Sequence, residues 1–457
     1  MASLINLTRA NEIGANCYYV DLEDGGVLLD AGMHPKHDGL SALPHLEKID
    51  RRQLDAIFLT HAHHDHSGAL PLAMERHPDA RVFLSEPTYF LADRLLHNSV
   101  NVMKKQREEL AISEYPLYSH SDVGAATKRW QACHLKDRWT LQGYPTREND
   151  PVTFEFYRAG HILGSVAVEL NHRGRRILYT GDINFANQSL IFGADLPPAG
   201  VDTLIIETTR GAQPNPDGYS RQKVRDQLIT ALNTVYDRNG VTLMPIFAMG
   251  KTQELLTLLY EAQRHGEIPH DTFFIGGLSK AFTEIYDRLS GSSERQNPRL
   301  HIQEDIRPQV FDWKTLNSFR PRKNHLYLLP SGMMSAHTTS NMFASNFLHR
   351  EENAIFFVGY CDPDSPAGKL RATPHGEKIR LNPHDPELPV KCQVEHFDFT
   401  SHATRESILE YILTLHPRHC LLVHGDAPAL TWFKDQLTAR APEMKVTIPP
   451  PGEEIDL

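Results

Sequence analysis

The stretch Thr60-His61-Ala62-His63-His64-Asp65-His66-Ser67-Gly68 follows directly on the apolar run Leu54-Asp-Ala-Ile-Phe-Leu-Thr60. Its pattern, H-x-H-x-D-H, puts three imidazoles and one carboxylate on a tight loop after a buried strand. Imidazole nitrogen and carboxylate oxygen suit Zn2+ at about 2.0–2.2 Å, and a strand end supplies the rigidity that a preorganised metal site needs. A lone histidine in a polar loop would mean little. Three at this spacing, with Asp65 in register, form a ligand set.

The flanking sequence reads as a layered α/β domain. Asn16 to Leu22, Gly26 to Asp30 and Ala56 to Thr60 are short apolar runs punctuated by Gly and Asp, as expected of strands. Leu70 to His77 reads as a helix and Arg81 to Ser85 as the next strand. Residues 88–142 are polar and helix-leaning. Strands resume at Val152 to Arg158, Val166 to Asn171, Arg176 to Thr180 and Val201 to Glu207. After a Gly/Pro/Asn loop at 211–220, helical spacing (Val224, Leu228, Leu232, Val235) opens a second run of alternating strands and helices. These are strands at 241–247, 272–275, 325–329 and 354–358, with helices at 221–238, 251–265, 280–289 and 339–348. Such alternation predicts a largely parallel sheet. From Val390 the chain reads as returning to the first unit, with strands at 393–399 and 419–423 around a helix at 405–414. The simplest topology is one domain inserted into another.

Three further segments can complete the metal site, each ending or flanking a strand: Ala159-Gly160-His161, Tyr179-Thr180-Gly181-Asp182 and Leu422-Val423-His424. Together they furnish His61, His63 and His161 for one ion and Asp65, His66 and His424 for another, with Asp182 able to bridge. Two ions about 3.5–4 Å apart could share a hydroxide and clamp the attacking and leaving oxygens of a phosphoester.

The ordered set Asp30, His61-x-His63-x-Asp65-His66, His161 and Asp182 resembles the metallo-β-lactamase fold. Glu207, His402 and His424 resemble the three extra motifs of its β-CASP branch of nucleic-acid-processing nucleases. Phe247-Ala-Met-Gly-Lys-Thr-Gln-Glu-Leu-Leu, Pro330-Ser-Gly-Met-Met-Ser and Phe357-Val-Gly-Tyr are similar to supporting segments of that branch. The resemblance implies an αββα sandwich, residues 1–208 and 389–457, with an α/β β-CASP domain inserted at 209–388 and the active site in the cleft between them. It implies a zinc-dependent ribonuclease working through two Zn2+ and a bridging hydroxide, in RNA processing or turnover, with manganese or iron as alternatives these ligand types also accept. Asp30 would orient the histidine loop, and Asp65 would serve catalysis as well as metal binding. His402 would protonate the leaving oxygen, and Glu207 would hold His402 in its acid form.

His at the position of His424 is similar to the RNA-processing members, where DNA-processing members tend to carry Val. Single-stranded RNA is therefore the expected substrate, with endonuclease preferred to 5′-exonuclease action and a homodimer open. The alternatives are a DNA nuclease of the same branch, a catalytically silent RNA-binding scaffold subunit, or a hydrolase of small thioesters or lactams. A redox di-iron centre is disfavoured, because redox relatives of the fold carry Glu where His63 stands. Departures from the branch pattern are His337 in place of a Gly and Thr208-Thr-Arg-Gly in place of S-T-Y-G.

Composition narrows the remaining choices. The 457 residues hold 47 Lys and Arg against 57 Asp and Glu, a formal charge of −10, so any nucleic-acid contact must use a local basic surface or metal ions. Two basic patches stand out: Lys369, Arg371, Lys378 and Arg380, and Arg320, Arg322 and Lys323. The five cysteines are scattered and form no C-x-x-C pair, which argues against a disulfide framework. No signal peptide and no membrane-length apolar stretch is read, so a cytoplasmic protein close to the minimal two-domain form is expected. Gly250-Lys251-Thr252 is not a phosphate-binding loop, since Pro245 stands where that motif needs Gly. Of the 26 histidines, His64, His77, His120, His134, His172 and His265 carry no motif context.

Overall fold

The computed structural model describes residues 2–312, 322–336 and 338–457. Arg320 and His337 lie outside the described residues. The chain forms two compact units. The first comprises the residues up to Asn187, Gly193–Asn215 and His402–Leu457; the second comprises Gln188–Phe192 and Pro216–Ser401.

The first unit is built on two seven-stranded sheets. One runs, from edge to edge, through Glu454–Asp456, Ser3–Asn6, Tyr18–Asp21, Gly26–Leu29, Ala56–Phe58, Arg81–Leu84 and Trp130–Ala132. The other runs through Lys445–Thr447, His419–Val423, Thr203–Glu207, Arg175–Tyr179, Val166–His172, Val152–Arg158 and Arg138–Thr140. Alternate side chains of the two sheets meet in one core. Phe58 and Phe83 of the first sheet pack on Phe154 and Phe156 of the second, with ring centroids 4.6–6.2 Å apart. Val168, Leu170, Tyr179, Ile205 and Val423 extend that core. The second sheet's other face packs Leu178, Leu204, Ile206 and Leu422 against the helices Arg405–Leu415 and Ala427–Arg440. Helices cover an outer face of a two-sheet sandwich, as the αββα architecture requires.

The polar stretch 88–142 does more than form helices. It holds the helices Glu86–Leu110 and His120–Thr127, then two three-residue strands, Trp130–Ala132 and Arg138–Thr140, each of which closes an edge of one sheet.

The second unit is a six-stranded sheet in the order Gln309–Val310, Thr272–Ile275, His325–Leu329, Thr242–Pro245, Ala354–Val358, Gln393–Phe397, with every pairing parallel. Its core gathers Leu243, Tyr327, Leu329, Phe343, Phe347, Ile355 and Phe357. One expectation needs correction here. Gln393–Phe397 pairs not with the first unit's sheets but with Ala354–Val358 at the edge of this sheet, within the unit that takes in Pro216–Ser401. Four of its five side chains are at least partly exposed, which suits an edge strand and carries no sequence mark of which sheet it joins.

Lys251 opens the helix Lys251–Arg264, and its buried ammonium donates to the Phe399 carbonyl, so it is not a phosphate-binding lysine. All five cysteines are buried and none forms a disulfide. Among the described residues no helix is long and apolar enough to cross a membrane.

The aromatic seam between the two sheets should dominate the first unit's stability. Phe58 is fully buried within it, and Phe58→Ala should cost about 3–5 kcal/mol through lost transfer energy and the cavity left behind. Urea unfolding should show that loss as a lower midpoint.

Candidate metal centre

The centre is assembled at strand ends of the first unit. Asp30 follows Gly26–Leu29 and takes a left-handed φ of 58°, an uncommon conformation for a non-glycine residue. Its fully buried carboxylate accepts from Thr60 N–H at 2.8 Å, Thr60 Oγ1 at 2.9 Å, His66 Nδ1 at 2.7 Å and Tyr179 OH at 2.8 Å. The first two fix the start of the histidine loop. The third fixes the tautomer of His66, leaving Nε2 to face the site.

Two glycines let the segments approach. A Cβ on Gly32 would lie 1.7 Å from the Asp65 carbonyl oxygen, and one on Gly181, whose φ is 52°, would lie 2.8 Å from the Thr60 side chain. Gly181 thereby allows Asp182 to reach the histidines.

Asp182 sits at the middle, 2% exposed. Its Oδ2 is 3.5 Å from His61 Nε2 and from His161 Nε2. Its Oδ1 is 3.3 Å from His66 Nε2 and 2.9 Å from His424 Nδ1. His63 Nδ1 lies 3.2 Å from His61 Nε2 and 3.0 Å from His161 Nε2. Asp65 Oδ2 approaches His424 Nε2 at 3.6 Å and His66 Nε2 at 3.9 Å. Ligand atoms therefore group as His61, His63, His161 and Asp182, and as Asp65, His66 and His424.

His402 and Glu207 stand beside them. His402 Nδ1 is 3.0 Å from Glu207 Oε2, and its Nε2 is 3.9 Å from Asp182 Oδ2. Glu207 also accepts from Ile183 N–H at 2.7 Å. Ala403 N–H donates to the Ile183 carbonyl at 2.6 Å, and Thr404 caps the following helix, so the chain just after His402 is pinned.

The charge pattern follows from burial and neighbours. Burial holds His61 well below the ordinary imidazole range and lowers His63 to about 4; both are neutral ligands. Burial works against charge on His66, His402 and His424 as well, but nearby carboxylates outweigh it. Asp182 with Asp30 and Asp65 raises His66, Asp182 with Asp65 raises His424 to about 10, and Glu207 with Asp182 raises His402. Burial disfavours the charge on Asp182, yet His424 and His66 outweigh it and keep the carboxylate ionised.

The donor set fits divalent cations. Nitrogen and carboxylate atoms converge in groups whose ligand atoms all lie within 4.8 Å of one another. Buried carboxylates gathered this closely need compensating positive charge, and a divalent cation would supply it.

All ten residues expected at the site from the sequence meet in this cluster. His64 does not; its Nδ1 turns to Ser99 Oγ at 3.4 Å. Sequence reasoning missed the supporting contacts of Tyr179 to Asp30, of Asn16 Nδ2 to His66 Nε2 at 3.1 Å, and of Thr209 Oγ1 to His424 Nδ1 at 3.2 Å. Tyr179 and Thr209 lie in segments the sequence singled out, though for other reasons, and nothing in the sequence marks Asn16 as a support.

Comparison with known proteins adds three family matches. The metallo-beta-lactamase superfamily model matches residues 10–237, the Beta-Casp domain residues 252–370, and the Zn-dependent metallo-hydrolase RNA specificity domain residues 387–449. Endoribonuclease YSH1 of Eremothecium gossypii is 27% identical over 455 residues, covering 96% of this chain and 57% of its own. Cleavage and polyadenylation specificity factor subunit 3 of Dictyostelium discoideum is 26% identical over 449 residues, covering 96% and 55%. The chain thus spans a little over half the length of these curated relatives. The crystal structure of a protein of unknown function from Enterococcus faecalis V583 aligns over 100% of both chains with a TM-score of 0.58 and 12% identity, a likeness of fold.

Because His424 is held protonated without a metal, loading the metal-free protein with Zn2+ near pH 7 should expel protons, as ligation requires neutral imidazole. Calorimetry in buffers of different ionisation enthalpy should count at least one proton released, and His424→Ala should lower the count by about one.

Proposed function

The chain belongs to the metallo-β-lactamase superfamily, in its β-CASP branch, and from that premise we propose that it is a zinc-dependent endoribonuclease. The carrying observation is the arrangement around Asp182. One carboxylate lies between two histidine groups, and an imidazole–carboxylate pair, His402 and Glu207, stands at its side. The RNA specificity match over residues 387–449 supports RNA as substrate. So do the names of the relatives, an endoribonuclease and a cleavage and polyadenylation specificity factor.

In this reading His61, His63 and His161, with Asp182, would hold one zinc, and Asp65, His66 and His424 would hold a second. Bound there, the metals supply Lewis acidity toward a phosphoryl oxygen and a water acidified to neutral pH. The protein's own groups do the rest. Asp30 fixes the ring of His66 so that Nε2 points inward, the outer support that metal-ligating histidines commonly require. Glu207 holds His402 Nδ1 and favours the imidazolium. His402 Nε2, on the Asp182 side, then donates its proton to the departing oxygen as the P–O bond breaks. Glu207 acts by orientation and charge.

Single-stranded RNA offered in circular and linear form to the zinc-loaded protein tests this directly. Cutting of the circle is the expected result. Asp182→Asn should abolish it, and His402→Ala should slow it by roughly 10²–10⁴-fold, the usual weight of a general acid. Full activity of Asp182→Asn would overturn the mechanism. Cutting of matched DNA but not RNA would make the chain a DNA nuclease.

A further inference from the structure

Two histidines that the metal centre does not use meet on helices of the first unit. His97 lies within Glu86–Leu110, and His120 opens His120–Thr127. They are 23 residues apart in sequence, yet their Nδ1 atoms are 2.9 Å apart. The ring centroids are 5.2 Å apart and the ring planes differ by 24°.

Each ring also has an oxygen behind it. His120 Nε2 lies 3.1 Å from Asn101 Oδ1. An amide oxygen only accepts, so Nε2 carries the hydrogen of His120 and its Nδ1 keeps a lone pair. His97 Nδ1 donates to that lone pair. His97 Nε2 stands 3.7 Å from Asp93 Oδ1, one helical turn back. The outward nitrogen of each imidazole therefore faces an oxygen acceptor, while the inward nitrogens face each other. Metal-ligating histidines are held in this way, by an acceptor behind the nitrogen that does not bind.

A cation fits between the inward nitrogens. Zn–N bonds of about 2.0–2.1 Å at a tetrahedral angle set two nitrogens about 3.3 Å apart. The observed separation is about 0.4 Å less, and pivoting of two part-exposed rings can supply the difference. Desolvation, Lys104 and His97 hold His120 below the ordinary imidazole range, so its lone pair is available at neutral pH. His97 frees its own Nδ1 by moving the hydrogen to Nε2, where Asp93 accepts it. Both rings then bind as neutral ligands, and no net proton need leave.

We propose that His97 and His120 bind one divalent ion of the imidazole-preferring kind, Zn2+ or Cu2+, between their Nδ1 atoms, with water completing its shell. The ion clips Glu86–Leu110 to His120–Thr127, the helix that leads into the edge strand Trp130–Ala132. Its role is to stabilise this edge of the first unit, and the inference does not rest on the ribonuclease reading.

The test is the zinc content of the full chain after equilibrium dialysis at a fixed free Zn2+ concentration. Wild-type protein should hold one ion more per chain than His97→Gln or His120→Gln. Asp93→Asn and Asn101→Ala keep both rings and should weaken that extra ion about tenfold. Zinc should raise the melting midpoint of His97→Gln less than that of the wild type, since an ion bound only by the folded chain adds to its stability. The extra ion should persist in Asp182→Asn, so a failure of the metal centre and a failure of this pair are read separately.

Equal zinc content in the wild type and both glutamine variants would overturn the site. Unchanged affinity in both Asp93→Asn and Asn101→Ala would also overturn it, reducing the pair to an adventitious contact between surface rings. Those two variants decide the matter alone if the glutamine variants do not fold.

Discussion

The architecture of the site depends on one buried carboxylate, Asp30. Removing an ionised group from water costs several kcal/mol even after relaxation, and only a full set of donors offsets it. Asp30 receives such a set from Thr60, His66 and Tyr179. Those donors come from different places: Asp30 ends a strand of the first sheet, Thr60 and His66 belong to the histidine loop, and Tyr179 ends a strand of the second. One side chain therefore fastens both sheets to the metal-binding loop, and it can be satisfied only when all three are in register. Losing a single partner would leave a buried carboxylate oxygen less satisfied, which costs more than the net worth of one hydrogen bond. The left-handed backbone at Asp30 is part of the same constraint, since it turns the carboxylate inward from the strand's end.

The centre beyond Asp30 is a balance of charges that no local element could maintain alone. Two carboxylates, Asp65 and Asp182, share space with cationic His66 and His424, while His61 and His63 are held neutral by burial. Exchanging protons for divalent ions keeps compensating charge in the cluster. Metal binding here is thus coupled to both protonation and fold stability. His402 lies outside the two metal groups yet beside Asp182, and Glu207 with Asp182 raises it above the ordinary imidazole range.

The ligands were legible in the sequence because each stands at the end of an apolar run, where a His or Asp is conspicuous. His61 to His66, His161, Asp182 and His424 all follow that rule. Their supports were not legible. Asn16, Tyr179 and Thr209 act through ordinary hydrogen bonds available to any polar residue, and only the fold brings them to His66, Asp30 and His424. The same contrast holds for the fold. Strands with buried faces, such as Val152–Arg158 and Ala354–Val358, announced themselves. Trp130–Ala132 and Arg138–Thr140 are three residues each, too short for a period to show. Gln393–Phe397 was recognised as a strand but given to the wrong sheet, because pairing partners are chosen by long-range packing and not by the strand's own composition.

The chain order of the proposed acid pair explains how an insertion of this size is compatible with a precise site. Glu207 ends the last strand before the inserted unit, and His402 is the first residue after it. They are 195 residues apart in sequence and 3.0 Å apart in space. The entropic cost of closing a loop grows only logarithmically with its length, and a segment that builds its own core, as residues 216–401 do around Leu243, Tyr327 and Phe357, is not a flexible loop at all. The ends are set by the first unit's own sheet, where Thr203–Glu207 pairs in parallel with His419–Val423. Ile183 then holds both sides of the junction, its N–H on Glu207 and its carbonyl on Ala403. The pair is complete only when the segments on both sides of the insertion are seated in this one domain, so it is assembled by folding of the same domain that holds the histidine cluster.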